Sequence, residues 1–191
     1  KGRYEARRNQ DEAAYIAELV RGLIAPEAHP TVGIVAFSEA QQTAIETALE
    51  RLAALDPVFA SRLEEESIRE EDGQYAGLLV KNLENIQGDE RDLVILSVCY
   101  GYGHDGRMLM NFGPINLSGG EKRLNVAFSR AKSNMVVVSS IRPHDITNVY
   151  NDGANTLRSY LQYCAAISSG DLESAALVLR GLSPRASSPR E

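Results

Sequence analysis

Apolar residues recur along the chain with two spacings, one typical of helices and one typical of buried strands. Residues 11–23 place alanine, isoleucine, leucine and valine every three or four positions, which predicts a helix, and Pro26 and Pro30 follow it. Residues 32–37 form a short continuous apolar run, the pattern of a strand buried on both faces. The same patterns predict helices at residues 39–52, 121–132 and 156–168, and strands at residues 78–81, 93–99 and 135–139.

This alternation indicates an α/β fold, with a mainly parallel sheet flanked by helices on both faces. Ser38-Glu39-Ala40-Gln41 is a capping-box pattern and marks the start of the second helix. The acidic segments at residues 64–66 and 70–72 are expected to form a solvated face or a mobile loop. We predict one domain over residues 1–170 and a C-terminal tail or linker, partly disordered, over residues 171–191.

Composition indicates the environment in which the chain works. With 191 residues, 43% of them hydrophobic, the chain is long enough to bury a substantial core. Cys99 and Cys164 have no partner spacing, so we expect buried thiols in a reducing, cytoplasmic compartment. No apolar run has the length of a membrane span, and no signal peptide is recognisable. His29, His104 and His144 lie far apart in the sequence, so no metal site is predicted.

The net charge of −6 argues against a protein that attracts nucleic acid over its whole surface, because phosphate binding is mainly electrostatic. Any contact with a nucleic-acid strand is therefore expected to be local. The chain begins with lysine rather than methionine, and we interpret it as an excised piece of a longer protein.

Two arginines stand seven positions apart in the block at residues 121–132, directly after Ser118-Gly119-Gly120. Seven residues are about two helical turns, so Arg123 and Arg130 are predicted to share one face of a helix. Leu124 and Phe128 form the neighbouring apolar stripe. Such a helix can aim a fixed guanidinium at a phosphate, whose oxygens match its planar fork. The alternative is an ordinary surface helix with solvated arginines.

A second block lies upstream at residues 80–92 and contains Gln87-Gly88-Asp89-Glu90. Together with Arg-Leu-Asn-Val-Ala-Phe-Ser-Arg-Ala at residues 123–131, it resembles motifs V and VI of superfamily 1 helicases, in the branch that contains the nonsense-mediated decay helicase and its bacterial relatives. Residues 31–41 resemble motif IV, and residues 8–13 resemble the Asn-x-x-Glu-Ala segment that precedes it. The four segments follow the order and spacing of the second motor domain of that family.

The resemblance covers most of residues 1–168 and implies a RecA-like three-layer sandwich of the P-loop NTPase type. The chain has no Gly-x-x-x-x-Gly-Lys-Ser/Thr loop and no apolar strand ending in Asp-Glu, so it lacks a Walker A loop and magnesium ligands. ATP and Mg²⁺ are therefore expected to bind mainly to the N-terminal RecA-like domain of the same full-length chain, and the isolated fragment is expected to be inactive. The other implied partner is single-stranded nucleic acid, DNA rather than RNA, tracked from 5′ to 3′.

The resemblance also implies roles at the nucleotide. Arg130 corresponds to the arginine finger that reaches the γ-phosphate of ATP, the catalytic residue of this domain. Arg123 corresponds to a companion that braces the cleft and pairs with a motif V carboxylate, or it forms only a surface ion pair. Glu90 is expected to contact the nucleotide sugar or the γ-phosphate network, and Gln87 to couple the nucleotide to the bound strand. Gly88 lets the backbone approach a ligand closely.

Other candidate binding residues lie at a second edge of the predicted sheet, where the nucleic-acid strand is expected to bind, and just before the first helix. Ser38 and Asn82 are candidates for nucleic-acid phosphate contacts, because free amides at a helix N-terminus bind anions. For Ser38 the alternative is simple helix capping. Many relatives carry an arginine directly after the asparagine of the Asn-x-x-Glu-Ala segment, as a second γ-phosphate ligand, whereas this chain has Gln10. Arg7 or Arg8 substitutes for that arginine, or the contact is missing.

Two other functions remain open from the sequence. Residues 117–123, Leu-Ser-Gly-Gly-Glu-Lys-Arg, closely match the signature loop of ABC-type ATPases, which also binds a γ-phosphate. Against that function, residues 135–140 read Met-Val-Val-Val-Ser-Ser, where an ABC domain needs a strand ending in aspartate and glutamate. The third possibility is a non-catalytic RecA-like scaffold that binds a partner through its acidic loop.

Overall fold

The computed structural model describes residues 2–182 of the chain, which fold into alternating helices and strands. The strands are β1 Val32–Ala36, β2 Glu70–Glu71, β3 Gln74–Tyr75, β4 Leu79–Asn82, β5 Arg91–Ser97 and β6 Ala131–Val138. The helices are α1 Gln10–Ile24, α2 Glu39–Leu55, α3 Pro57–Ile68, α4 Gly120–Phe128, α5 Asp152–Ser168 and α6 Leu172–Leu182, with short 3-10 turns at Gly113–Ile115 and Pro143–Asp145.

Four strands form one parallel sheet in the order β4-β1-β5-β6. Ile34 of β1 lies between Val80 of β4 and Ile95 of β5, and Ile95 in turn pairs with Val136 of β6. Because the strands are parallel, all four begin at one edge, here called the amino edge, and end at the other, the carboxyl edge. This sheet confirms the predicted α/β class with a mainly parallel sheet.

Successive residues of the central strands enter two separate cores, one on each face of the sheet. Ile34 and Ile95 pack with the apolar sides of α1 and α2, for example Ile16. Val35 and Leu96 pack on the other face. That second core includes Leu124 of α4 and Leu157 of α5. Burial on both faces explains why these strands read as continuous apolar runs, and it gives the three-layer arrangement.

The acidic stretch is folded, and the prediction of a solvated face or mobile loop is wrong for part of it. Asp56 begins α3 by accepting hydrogen bonds from the backbone N–H groups of Val58 and Phe59, both at 3.1 Å. Glu66, in the middle of the stretch, is buried, and its Oε1 lies 3.3 Å from Nη1 of Arg69. Phe59 packs in the α1/α2 core, and Arg69 at the end of α3 donates through Nη2 to the carbonyl of His29 at 3.2 Å, so the acidic helix is held against the protein at both ends.

A sixth helix occupies the first part of the predicted tail. Residues 172–182 form α6, which packs against α5, and Ala175 is buried there. Residues 183–191, whose composition also suggested a linker, lie outside the described residues. No helix within residues 2–182 combines the length and hydrophobicity needed to cross a bilayer.

Candidate functional site

Arg130 lies at the amino edge, in the turn between α4 and β6. The prediction that it shares a helix face with Arg123 is wrong, because α4 ends at Phe128. The backbone N–H of Ser129 closes the helix on the carbonyls of Asn125 and Val126, at 3.2 and 3.3 Å. The carbonyl of Arg130 then accepts a hydrogen bond from the N–H of Arg91 at 3.2 Å, so β-sheet pairing starts where the predicted helix would have continued.

The guanidinium of Arg130 is held by the end of its own helix. Its Nε donates to the carbonyl oxygen of Val126 at 2.9 Å, and its Nη2 lies 2.9 Å from Oγ of Ser129. The side chain is 18% exposed. Two of its three nitrogens are thus fixed, and the third, Nη1, faces a carboxylate from the motif V block.

That carboxylate belongs to Glu90, whose Oε1 is 3.7 Å from Nη1 of Arg130. The Glu90 side chain is 52% exposed, and pairs of this kind contribute only about 0–1 kcal/mol. Gln87 and Gly88, both exposed, precede Glu90 in the same connection, and Gly88 has φ +92°. This positive φ provides a backbone reason for glycine at that position. The structure therefore brings Arg130 together with the motif V block.

Arg123 does not join this group. Its Nη1 donates to the carbonyl of Ser118 at 3.2 Å, so the side chain folds back over the start of α4. A motif V carboxylate was expected to pair with Arg123, but within residues 2–182 the pairing observed is between Glu90 and Arg130.

The glycines before α4 meet internal packing requirements. Gly119 has φ +79° and occupies the N-cap position of α4. A Cβ on Gly120 would lie 1.8 Å from the carbonyl oxygen of Ile115, and one on Gly153 would lie 1.9 Å from the same atom. The Gly-Gly pair that resembles an ABC signature loop is thus explained by the left-handed backbone at Gly119 and by the close approach of Gly120 to Ile115.

Arg7 and Arg8 lie at the carboxyl edge, whereas Arg130 lies at the amino edge, so the structure does not bring these arginines together. The carbonyl of Arg7 accepts a hydrogen bond from Oγ of Ser38, which directly follows β1, at 2.5 Å. Gln10 begins α1 at the same edge, since Glu12, two residues later, accepts hydrogen bonds from backbone N–H groups beyond the ends of β5 and β6. A helix that precedes a parallel strand runs back across the sheet, so its start lies where the strands end.

Ser38 is buried, and its hydroxyl is fully used inside the protein. It accepts a hydrogen bond from the N–H of Gln41 at 3.1 Å and donates to the carbonyl of Arg7. The capping function is confirmed. A direct phosphate contact by this hydroxyl is not supported, because its proton is already donated.

Asn82 is also buried and engaged at the carboxyl edge. Its Nδ2 donates to Oε1 of Gln42 at 3.1 Å, and its Oδ1 accepts from the N–H of Glu84 at 3.1 Å. These bonds shape the start of the connection that leads from β4 to β5. The direct nucleic-acid contact proposed for Asn82 is therefore less well supported than an internal turn-forming function.

Glu12, the glutamate of the Asn-x-x-Glu-Ala segment, is the centre of a hydrogen-bond network that was not predicted. Its two carboxylate oxygens accept hydrogen bonds from the backbone N–H of Ser140 at 2.7 Å and from that of Cys99 at 2.9 Å. Asn9 caps α1 through Oδ1 and donates Nδ2 to Oγ of Ser140 at 2.9 Å. Burial raises the pKa of Glu12, while the hydrogen bonds from Ser140, Cys99 and Ser97 act against the rise. The Asn-x-x-Glu spacing, a helix-start pattern, was the available signal.

Arg91, next to Glu90, is a second residue whose position was not foreseen. It is buried, and its guanidinium donates to the backbone carbonyls of Gly77, Glu90 and Tyr75, at 3.0, 2.8 and 3.3 Å. The guanidinium carbon also lies 5.6 Å from the centre of the Tyr75 ring. Arg91 thus ties the β2–β3 hairpin to the amino edge and fixes the backbone that carries Glu90.

Both cysteines are free, and Cys99 is buried as expected. Burial raises the pKa of the Cys99 thiol, and the neighbouring Glu12 carboxyl adds to the rise, so the thiol is unreactive. Cys164 in α5 is only partly buried. Within residues 2–182, no group of three or more potential metal-ligating side chains is assembled.

Comparison of the sequence with known proteins shows the family of this chain. The family model described as "AAA domain" matches residues 1–142. An uncharacterized ATP-dependent helicase of Mycoplasma pneumoniae is 33% identical over 176 residues, which are 91% of this chain and 15% of that protein. An uncharacterized ATP-dependent helicase of Mycoplasma genitalium is 35% identical over 170 residues, 87% of this chain and 14% of that protein. The chain thus spans only about one seventh of the length of these relatives.

Proposed function

This chain belongs to the AAA domain family, in the form typical of the C-terminal part of helicases related to the nonsense-mediated decay helicase, and on that premise we propose that it is the second motor domain of an ATP-dependent helicase. The parallel sheet with helices on both faces is consistent with this family. Family membership also sets aside the ABC-type function suggested by residues 117–123.

The observation that carries the proposal is the contact between Arg130 and Glu90 at the amino edge. It joins the two blocks that resemble helicase motifs V and VI. Arg130 provides a permanent positive charge, partly exposed, whose fork is oriented by Val126 and Ser129. In the proposed function this charge reaches the γ-phosphate of ATP on the preceding motor domain and stabilises the negative charge that develops during transfer to water.

The pairing of Arg130 with Glu90 is compatible with a phosphate contact that forms only when ATP is bound. An exposed ion pair at 3.7 Å is weak, so a phosphate oxygen can replace the carboxylate at small cost. The bonds to Val126 and Ser129 keep the guanidinium in place during the exchange. Glu90, released from Arg130, is then free to contact the nucleotide sugar or the network around the γ-phosphate.

The chain itself lacks a phosphate loop, so ATP and Mg²⁺ would be held mainly by the preceding domain, where the ion would neutralise phosphate charge. The isolated chain is therefore proposed to be inactive. Closure of the two domains on ATP would bring Arg130 to the phosphate, and hydrolysis would release it. Repeated closure and opening would move the pair of domains along single-stranded nucleic acid and split a duplex ahead of them.

Replacing Arg130 by alanine in the complete protein tests this function. We expect strand-stimulated ATP turnover to fall about 1,000-fold or more, the loss typical of a missing arginine finger. Arg130→Lys is expected to recover little, because an ammonium lacks the planar fork. Turnover is measured with single-stranded DNA and with single-stranded RNA in parallel.

The matched control is Arg51→Ala, which removes an equal charge from an exposed position on α2. This variant is expected to turn over ATP as the unmodified protein does. If Arg130→Ala retained normal turnover, Arg130 would not be the finger. If the biological function also survived, the non-catalytic scaffold would be the better description.

A further inference from the structure

A groove of about 550 Å³ opens at the carboxyl edge, beside the start of α2. It lies between the turn at residues 5–8, the end of β1 and the connection at residues 98–119, which follows β5 and contains several glycines. Its lining includes Tyr4, Arg7, Phe37, Tyr100, Leu109 and Pro114. We call it the Tyr4–Arg7 groove. In open α/β sheets, the carboxyl ends of the strands are where ligands bind.

The floor of the groove is a fixed aromatic cluster. Tyr100 is buried and donates its hydroxyl to the carbonyl of Phe112 at 2.7 Å. The rings of Tyr4 and Phe37 approach Tyr100 edge to face, with centroids 5.5 and 6.4 Å away. Tyr4 is the partly exposed member of the cluster, so it can offer ring surface to a ligand without rearrangement.

Arg7 adds a positive charge to the lining of this groove. Within residues 2–182, its exposed guanidinium has no hydrogen-bond or ion-pair partner. Arg7 and Tyr4 line the same groove. Burial raises the pKa of Tyr4 to about 12, Cys99 adds to the rise, and the charge of Arg7 acts against it. The one carboxylate on the lining, that of Glu5, lies 3.3 Å from Nε2 of His104.

The backbone fixes Arg7 in this position. Glu5 and Arg8 exchange two backbone hydrogen bonds, at 2.9 and 3.0 Å, and thereby close a tight turn. Both central residues are left-handed, Ala6 with φ +48° and Arg7 with φ +63°, although neither is glycine. The hydroxyl of Ser38 holds the carbonyl of Arg7. Ser38, which was predicted to contact phosphate, therefore holds the backbone of Arg7 instead. The guanidinium of Arg7 is better suited to bind a phosphate.

We propose that the Tyr4–Arg7 groove holds one nucleotide of the single-stranded nucleic acid, with its base on the ring of Tyr4 and its phosphate on the guanidinium of Arg7. This assignment deepens the proposed function and rests on it. A cation beside an aromatic platform matches the two parts of a nucleotide, and neither contact depends on base identity. It also gives a net-negative chain the local attraction that strand binding requires.

The first test measures the affinity of the complete protein for a labelled single-stranded oligonucleotide by fluorescence anisotropy at several salt concentrations. Arg7→Ala is expected to weaken binding about tenfold and to reduce the slope of log affinity against log salt by about 0.7, the value for one lost phosphate contact on a single strand. Arg51→Ala, the charge-matched control, should leave both quantities unchanged. Equal behaviour of the two variants would overturn the phosphate assignment.

The second test separates base stacking from a structural function of Tyr4. Tyr4→Ala is expected to weaken binding about tenfold, as for loss of one stacked base, whereas Tyr4→Phe keeps the ring and should bind like the unmodified protein. On an oligonucleotide of abasic residues, Tyr4→Ala should bind as tightly as the unmodified protein. An equal loss on both oligonucleotides would mean that the ring only supports the fold, and the base assignment would be wrong.

The two proposals fail in different ways. If the unmodified complete protein shows strand-stimulated ATP turnover while Arg7→Ala and Tyr4→Ala bind normally, only the groove assignment is wrong. If the unmodified protein neither binds single strands nor responds to them, with its circular dichroism showing a folded state, the motor function fails and the groove assignment fails with it.

Discussion

Glu12 shows how one side chain can hold three elements together at the carboxyl edge. It is only 4% exposed, yet its two oxygens accept four hydrogen bonds. Two of the donors are the backbone N–H groups of Cys99 and Ser140. These residues lie just beyond the ends of β5 and β6, where strand pairing has ended. A carboxylate satisfies both at once, because both of its oxygens are acceptors. The glutamate of the Asn-x-x-Glu-Ala segment is thus explained by architecture.

Replacing Glu12 by glutamine should lower the free energy of unfolding by about 1–3 kcal/mol, because the new NH₂ group leaves one of the two backbone N–H groups unpaired. Urea denaturation of the chain measures the loss. Glu50→Gln, an exposed change on α2, is the control and should have little effect. A loss no greater than that of the control would show that the network adds no stability.

The same substitution should change how stability depends on pH. The pKa of Glu12 is raised in the folded state, so its contribution is fully present below the unfolded pKa and is lost as pH rises through the folded pKa. Glutamine does not titrate. The stability difference between the two proteins should therefore be largest in acid and shrink as pH rises. A difference that grows with pH would contradict the direction of the shift.

At the scale of elements, the sequence pattern predicted those helix ends that local interactions determine, and it failed where a distant residue determines the end. Helix α1 was predicted at residues 11–23 and extends over Gln10–Ile24, because its apolar spacing and its capping residue are both local. Helix α4 was predicted to run four residues too far, since its end is set by the pairing of Ala131 with Arg91, forty positions away. No local pattern shows that pairing. Helix α3 was missed because its acidic composition concealed a helix that begins at Asp56 and Pro57.

The candidate site was also predicted only in part, because its residues belong to local motifs while their contacts depend on long-range pairing. Glu90 and Arg130 were identified by their motifs, but the contact between them depends on the β5–β6 register. Arg7 was assigned to the nucleotide, although α1 precedes a parallel strand and so must start at the opposite edge. That placement follows from element order alone and could have been predicted. The capping bond of Ser38 follows a local pattern, but its donation to the carbonyl of Arg7 and the bond between Asn82 and Gln42 could not be predicted, because they depend on tertiary packing.

The start of α4 provides a test of element packing. Gly120→Ala should lower the free energy of unfolding by about 3 kcal/mol, because the added methyl group would meet the backbone of Ile115 and cannot be accommodated by a side-chain rotation. The control is Gly22→Ala in α1, where nothing lies within 4 Å of the new group. That change should stabilise the chain by about 0.5–1 kcal/mol through helix propensity. Equal effects at the two glycines would refute the close contact at Gly120.

At the scale of the whole molecule, the two candidate contacts lie at opposite edges of one sheet. Strand β5 has seven residues, which at about 3.3 Å each separate the edges by about 20 Å. The segment between β4 and β5 crosses this distance, since it leaves the carboxyl edge at Asn82 and reaches the amino edge at Glu90. Leu83 and Ile86 anchor it in the core. It is therefore a direct physical link between the proposed strand-binding and nucleotide-binding edges.

Gln87 lies on this link, and its exposed carboxamide has no hydrogen-bond partner within residues 2–182. If Gln87 couples the two edges, Gln87→Ala in the complete protein should leave the affinities for ATP and for single strands, each measured alone, within about twofold of normal. Strand stimulation of ATP turnover should fall about tenfold, a loss within the usual range of coupling free energies. Asn85→Ala, an exposed change in the same segment, should not alter stimulation. A parallel loss of binding would instead make Gln87 a simple ligand, because coupling affects the response of one edge to the other and not either contact alone.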